Sequence, residues 1–432
     1  MTIAFRDLTI PVDTPLIVII GGGPAGLFCA LQSAGAGRRV TVLEKNPSCG
    51  RKLLLTGSGQ CNLTHEGGIT EFFSHYGGHG RFLRPALLGY TNRDLVSFFE
   101  CNGLSLAADS GKKIFPVTRK ASDVLTVLLS ECSRRRVEVV CRQPVRRISH
   151  DSGGFTIRTG AATYPADALV IATGGASYPA TGSTGDGYSL ARELGHTVTP
   201  IAPALTPVIV KDHPLRRLAG ISFEGLALGL FRDGKKINQA TGDLLITHDG
   251  LSGPGVLDLS RFILPGDTLK VSFVPGLSGE EVRRRVTDAI AASGRRQVKT
   301  ILSTLPLPER FVRRLIELAG VPPALSCSQL PAPARKKIID LLTGFPFPVL
   351  RPGGFEEAMV TRGGVTLGEI DPGTMESGIV PGLFFIGELL DIDGDTGGYN
   401  LQAAFSTGML AARRIAVMFP DRTNLGGLDR PA

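Results

Sequence analysis

The 432 residues carry 47 Lys and Arg against 39 Asp and Glu, a formal charge of +8, and 42% of them are hydrophobic. Such a chain buries a substantial core, which excludes wholesale disorder, and no apolar run reaches the roughly 18 residues needed to cross a bilayer. Glycine supplies 55 residues without a G-X-Y period, nearly double the ~7% typical of proteins, which predicts tight turns and close backbone approach to a ligand.

Residues 1–15 hold Asp7, Asp13 and two prolines, with no basic stretch leading into an apolar one; no signal peptide is expected. Leu16 to Ile20 is a continuous apolar run, as in a strand buried on both faces of a parallel sheet. It enters Gly21-Gly22-Gly23-Pro24-Ala25-Gly26, a G-x-G-x-x-G turn, followed by a helix with Leu27, Phe28, Ala30 and Leu31 on its apolar face. A second strand, Val40 to Leu43, ends on Glu44. Gly21 allows the turn, Gly23 lets backbone approach a pyrophosphate, Gly26 lets helix and strand pack closely, and Glu44 is placed for ribose hydroxyls. The order predicts a Rossmann-type dinucleotide site without separating FAD from NAD.

Three further segments favour FAD. Gly50 to Thr64 follows directly and sets Arg51 and Lys52 near the expected pyrophosphate, with Cys61 and Asn62 in a small-residue loop. Asp167 to Gly175 is a buried strand ending in Ala-Thr-Gly-Gly. Gly382 to Glu388 is another, followed by Asp391 to Gln402 and an apolar helix from about 403 to 418. A glycine-lined helix start there would aim N–H groups at a flavin pyrimidine. Asp391, Asp393 and Asp395 lack the glutamate that an EF-hand loop requires, so no metal is expected.

Gly21–Glu44, Gly50–Thr64 and Gly363–Gln402, in that order, resemble the BaiN-type (YhiN-like) bacterial NAD(P)/FAD-dependent oxidoreductases. Ile114-Phe115-Pro116-Val117, Ala121-Ser122-Asp123 and Thr247-His248 with Gly250 to Pro254 add to the likeness, which spans roughly residues 16 to 415. The chain departs from it at Gln60, where relatives usually carry Arg, and at His65, where Asn is common. The resemblance implies an α/β fold, in which a Rossmann-type FAD-binding domain is interrupted by a β-rich region and a small helical insert. It also implies reduction of conjugated enones in some members and oxidation of small amines in others.

The expected cofactor residues are Gly21, Gly23, Pro24, Ala25, Gly26, Glu44, Lys45, Arg51, Lys52, Cys61, Asn62, Val145, Thr173, Gly174, Gly175, Gly387, Glu388, Asp395, Asn400 and Leu401. The expected division is 1–195 with 355–432 for FAD, 196–276 β-rich and 277–354 helical. Strands are expected at Thr206–Val210, Leu226–Phe231, Asp243–Thr247 and Thr268–Val274, with a hairpin turn at Asp233-Gly234. Ser278 with Glu280 and Glu281 reads as a helix start, with Val282, Val286 and Ile290 at helical spacing. The last dozen residues read as frayed.

Lys270 to Asp340 holds 13 Lys and Arg against 6 Asp and Glu. A solvated helix surface is the plain reading, ahead of an acidic partner such as tRNA; the segment is poor in aromatics that stack on bases. Seven cysteines without a C-x-x-C suggest neither disulfides nor zinc, and a reduced, cytoplasmic protein. A bound flavin would carry the electron chemistry, and NADH or NADPH is expected to dock transiently, since there is no second G-x-G-x-x-G. The expected activity is reduction of an activated double bond in a small molecule, with amine oxidation or action on nucleic acid as alternatives. Tyr399, His248 and Tyr178 are the candidate proton donors.

Overall fold

The computed structural model describes residues 14–421. The readings of the first thirteen residues and of the final eleven lie outside that range. The described residues form two compact units, Pro203–Ala358 and the remainder on either side of it.

The first unit is built on five parallel strands in the order Leu383–Phe385, Ala168–Ile171, Leu16–Ile20, Arg39–Glu44 and Glu138–Cys141. Ile17 to Ile20 pair with Ala168 to Ile171 on one side, and Leu16 to Ile20 with Arg39 to Leu43 on the other. These central strands are buried almost throughout, which is why they read as continuous apolar runs rather than alternating ones. Helix Pro24–Ser33 covers the sheet, and helix Tyr399–Met418 packs on it. Gly408 makes that contact close, since a Cβ there would lie 2.9 Å from the Ala25 carbonyl oxygen. Phe28 and Phe405 meet edge to face at 5.2 Å. Among the described residues, no helix is long and apolar enough to cross a membrane.

The second unit is a closed barrel of Val208–Val210, Gly250–Ser252, Lys235–Ile246, Ser222–Arg232, Thr268–Ser272 and Phe345–Pro352. Asp233 and Gly234 both take positive φ, 50° and 76°, the two-residue turn that matches strand twist. Phe345–Pro352 had read as part of the helical insert. Its alternation explains the strand: Phe345, Phe347 and Val349 are buried, while Pro346 and Pro348 face outward. Helices Gly279–Ala292, Val298–Leu302, Glu309–Leu318 and Ala332–Gly344 share one core with the barrel. Amphipathic helices this short have no interior of their own, so the β-rich and helical stretches make one unit. Ser278 and Glu281 form a reciprocal capping box at the first helix start, as the sequence indicates.

In the first unit the buried His196 ring bridges Ser377 Oγ at 2.8 Å and Glu369 Oε2 at 3.2 Å. Burial holds this imidazole below its ordinary 6.5, against the pull of the Glu369 carboxylate. Below that pH the unfolded chain takes a proton that the folded chain resists, so stability falls as pH drops through the unfolded value. Urea midpoints should therefore be lower at about pH 5.5 than at about pH 7.5, with a narrower gap in His196→Gln. An unchanged gap would show that the ring contributes nothing.

Candidate functional site

Strand Leu16–Ile20 runs into the glycine turn, and each glycine is there for a different neighbour. Gly21 sits at φ +111°, and a Cβ on it would lie 2.4 Å from the Ala172 carbonyl oxygen. A Cβ on Gly26 would lie 2.0 Å from the Gly21 carbonyl oxygen. These two bring the helix start and both strand ends closer than any side chain permits. Gly23 differs: a Cβ there would meet no atom within 4 Å, and the residue lines a cavity. Its missing side chain leaves room for something other than protein.

The cavity is lined by Gly21, Gly23, Pro24 and Ala25, then Glu44 and Lys45, then Arg51 and Lys52. Val145, Thr173, Gly174, Gly387, Glu388, Asn400 and Leu401 complete the expected residues that it brings together. Asn46, Gln143 and Ser183 line it too, and sequence reasoning missed them; Asn46, a small amide two residues after the strand-end acid, is the one with a usable signal. Gly26, Cys61, Asn62, Gly175 and Asp395 stand outside the lining. Cys61 is fully buried, and burial pushes its thiol up to about 12. His248 is an exposed residue of the Thr247–Gly250 turn in the other unit, and Tyr399 is 5% exposed.

The polar groups of the cavity wall are already oriented. Glu44 Oε2 accepts from the Gly22 N–H at 2.8 Å, and Oε1 accepts from the Asn46 backbone and side-chain amides at 2.8 and 2.7 Å. Lys45 donates to Asp186 and to Thr184. Burial acts to raise the Asp186 carboxyl, and the bonds from Lys45 and Thr184 outweigh it, leaving it below its ordinary value. The two cations expected at the pyrophosphate are both engaged. Arg51 donates to Asn46 Oδ1 at 3.1 Å and to the Ala180 carbonyl at 3.2 Å. Lys52 Nζ reaches Ser177 Oγ at 2.6 Å and both Glu388 oxygens at 2.8 and 2.9 Å. Glu388 Oε1 also accepts from Ser177 Oγ and from the Thr361 N–H.

Opposite in sequence, Gly398 at φ +95° starts helix Tyr399–Met418. The first main-chain bond back into that helix is from Gln402 to Gly398, so the Asn400 and Leu401 amides at the cavity wall have no carbonyl partner within the helix. Thr173 keeps a buried hydroxyl without a hydrogen-bond partner. An open glycine cradle and helix-start amides fit a dinucleotide such as FAD.

Comparison with known proteins identifies the family. Residues 15–414 match the family described as HI0933-like protein Rossmann domain. The chain is 33% identical over 409 residues to the 3-dehydro-bile acid delta(4,6)-reductase of Clostridium scindens, covering 93% of this chain and 98% of that protein. It is 32% identical over 399 residues to the ribosomal RNA dihydrouridine synthase of Escherichia coli, covering 92% of this chain and 96% of that one. Its counterpart of the same name from Haemophilus influenzae is 34% identical, over 92% of this chain and 98% of that one. Among solved structures, a 3-ketosteroid delta1-dehydrogenase from Sterolibacterium denitrificans superposes with a TM-score of 0.51 at 13% identity, over 93% of this chain and 99% of that one, a likeness of fold.

The glycines give a discriminating pair of variants. Gly23→Val should unfold like the wild type yet bind FAD at least about tenfold more weakly, because its side chain enters the open cradle. Gly26→Val should cost about 1–3 kcal/mol of stability by overpacking against Gly21. Thermal melting and flavin-fluorescence titration of the apoprotein read both, and unchanged FAD affinity in Gly23→Val would remove the cradle assignment.

Proposed function

The chain belongs to the HI0933-like family of FAD-dependent oxidoreductases with a Rossmann domain, and from that premise we propose that it reduces a carbon–carbon double bond conjugated to a carbonyl, with electrons from NADH or NADPH. What carries this reading is a reaction type common to relatives that match over more than nine-tenths of the chain. One is named a delta(4,6)-reductase and two are named dihydrouridine synthases. Dihydrouridine is uridine with its ring double bond saturated, and that bond, like a dienone's, is conjugated to a carbonyl.

FAD, when bound, supplies a two-electron store between the nicotinamide and the alkene. The chain supplies placement. The Gly21–Gly26 turn and the start of helix Pro24–Ser33 would hold the phosphates, with Glu44 near a ribose. Lys52, fixed by Glu388 and Ser177, sets a positive charge on the cavity wall. The Asn400 and Leu401 amides offer donors where negative charge gathers on reduction. No second glycine turn of this kind holds a nicotinamide, which suits a reductant that docks and leaves.

A second reading, a uracil base within structured RNA as the substrate, is favoured by one observation besides the relatives' names. In the barrel unit Arg284, Arg285, Arg295 and Arg296 are all exposed, a surface suited to phosphates. The bile-acid relative is named for a small molecule, so the double bond is what the relatives' names have in common.

Anaerobic addition of NADH or NADPH to the FAD-loaded protein should bleach the band near ~450 nm. A 3-oxo-4-ene steroid, a simple cyclic enone or ribosomal RNA should then restore it with formation of the saturated product. Bleaching by neither nucleotide would overturn the donor, and restoration by none of the three acceptors would overturn the double-bond reading. Restoration by RNA alone, weakening steeply with salt, would decide for the nucleic-acid substrate.

A further inference from the structure

Saturating a conjugated double bond takes a hydride and a proton, and the groups described so far provide for binding and charge but name no acid. We propose that His75, oriented by Asp395, delivers that proton; the assignment rests on the double-bond reading above.

His75 lies in the 3-10 stretch Ile69–His79, and sequence reasoning passed over it. Its Nδ1 is 3.0 Å from Asp395 Oδ2. The two residues are also joined through the main chain, where the Asp395 N–H donates to the His75 carbonyl at 2.9 Å. The imidazole lies flat against the Tyr399 ring, with centroids 4.0 Å apart and planes at 11°. Tyr399 is held in turn, since Tyr76 donates its hydroxyl to the Tyr399 carbonyl at 2.8 Å. The histidine ring is therefore fixed in plane and in rotation. With Nδ1–H directed at a carboxylate, Nε2 is the nitrogen left for chemistry, and it has no hydrogen-bond partner among the described residues. The side chain is 36% exposed, so substrate and solvent can reach it. A carboxylate that orients one nitrogen, while the other has no protein partner on a partly exposed side chain, is the arrangement of a histidine general acid.

The segment that grips His75 adjoins the cavity wall, although Asp395 itself stands outside the lining. Ile392, Asn400 and Leu401 line the cofactor cavity, and Asp395 lies between them. Asn400 keeps this loop tight by accepting from the Gly394 N–H at 2.8 Å and donating to the Gly394 carbonyl at 2.9 Å. The competing donors fare worse. Cys61 is sealed in the interior with its thiol pushed up to about 12 by burial. The Tyr76 hydroxyl is buried and spent on the Tyr399 carbonyl.

The step balances as follows. A hydride equivalent supplied by NADH or NADPH would bond to the β-carbon as the π pair of the alkene moves toward the carbonyl. The Nε2–H bond of protonated His75 then breaks as the α-carbon–hydrogen bond forms. The neutral imidazole regains its proton from water.

The test compares wild type, His75→Gln, His75→Gly and Asp395→Asn with a cyclic enone and with ribosomal RNA as acceptors. His75→Gln should lower the turnover of whichever acceptor the wild type reduces by on the order of 10²-fold, while nicotinamide-driven bleaching is unchanged. Added imidazole should restore turnover in His75→Gly and not in the wild type, which a purely structural role would not produce. Affinity of the apoprotein for FAD should stay within about twofold in His75→Gln, because the residue is assigned to the substrate and not to the cofactor. Near-wild-type turnover in His75→Gln beside an active wild type removes this assignment alone. So does a loss of FAD affinity that accounts for the lost rate. A wild type that bleaches but reduces no acceptor removes the double-bond reading and this assignment together. Should His75→Gly fail to fold, His75→Gln and Asp395→Asn, both slower with intact bleaching, carry the same decision.

Discussion

Everything in the first unit depends on how closely backbone passes backbone at the end of strand Leu16–Ile20. Gly21 and Gly26 each stand where a Cβ would come within 2.4 Å or less of a carbonyl oxygen. That contact presses the start of helix Pro24–Ser33 onto the ends of two neighbouring strands. The helix then points its free N–H groups into the crevice beyond the sheet, at the carboxyl end of the strands, where open α/β sheets bind ligands. Gly23 lies in the same turn but has no such neighbour, and so it is the position at which the cavity begins.

Once the crevice is set, its charges are arranged by contacts that span the chain. Lys52 and Glu388 are 336 residues apart in sequence and bonded in the fold. Ser177 and Thr361 join them from two further segments. Four pieces of sequence thus meet around one carboxylate, and each is half held by the others. A lysine tied in this way is one half of a fixed ion pair rather than a mobile side chain. Such preorganisation makes a charge effective toward a developing anion, because nothing need move when the charge appears.

This also explains what was legible in advance. The glycine turn, the buried strands and the Ser278–Glu281 cap are local patterns, readable because their causes lie within a few residues. The Rossmann-type dinucleotide site followed from the first two, while the interrupted α/β fold was what the family resemblance implied. The Asp233-Gly234 hairpin was legible for the same reason, since both residues tolerate positive φ. Phe345–Pro352 was not, because prolines argue against a strand until the alternation shows them on the outer face. Arg51 and Lys52 both line the cavity, but their acceptors at Asn46, Ala180 and Glu388 come from pairings that no spacing encodes. His75 was missed for a like reason: Asp395 stands 320 residues away. Without that carboxylate, a histidine in a glycine-rich stretch is indistinguishable from a surface residue.

The cysteines limit what remains for the chain itself to do. Cys29, Cys61 and Cys132 are buried, and desolvation pushes each thiol up to about 12. Cys49 is raised further, first by burial and then by the nearby Cys141 and Glu44. A thiol held protonated is neither a nucleophile nor a ready redox partner, so these residues are packing material. The FAD-dependent family assigns electron transfer to a bound flavin, and on the proposed reading the chain's own part is placing charge and moving protons. On that reading Lys52 with Glu388 would meet the first need, and His75, held between Asp395 and Tyr399, the second. Neither demands a particular carbon skeleton beyond the conjugated bond, which is how one architecture can stand behind relatives named for a bile acid and for a nucleobase.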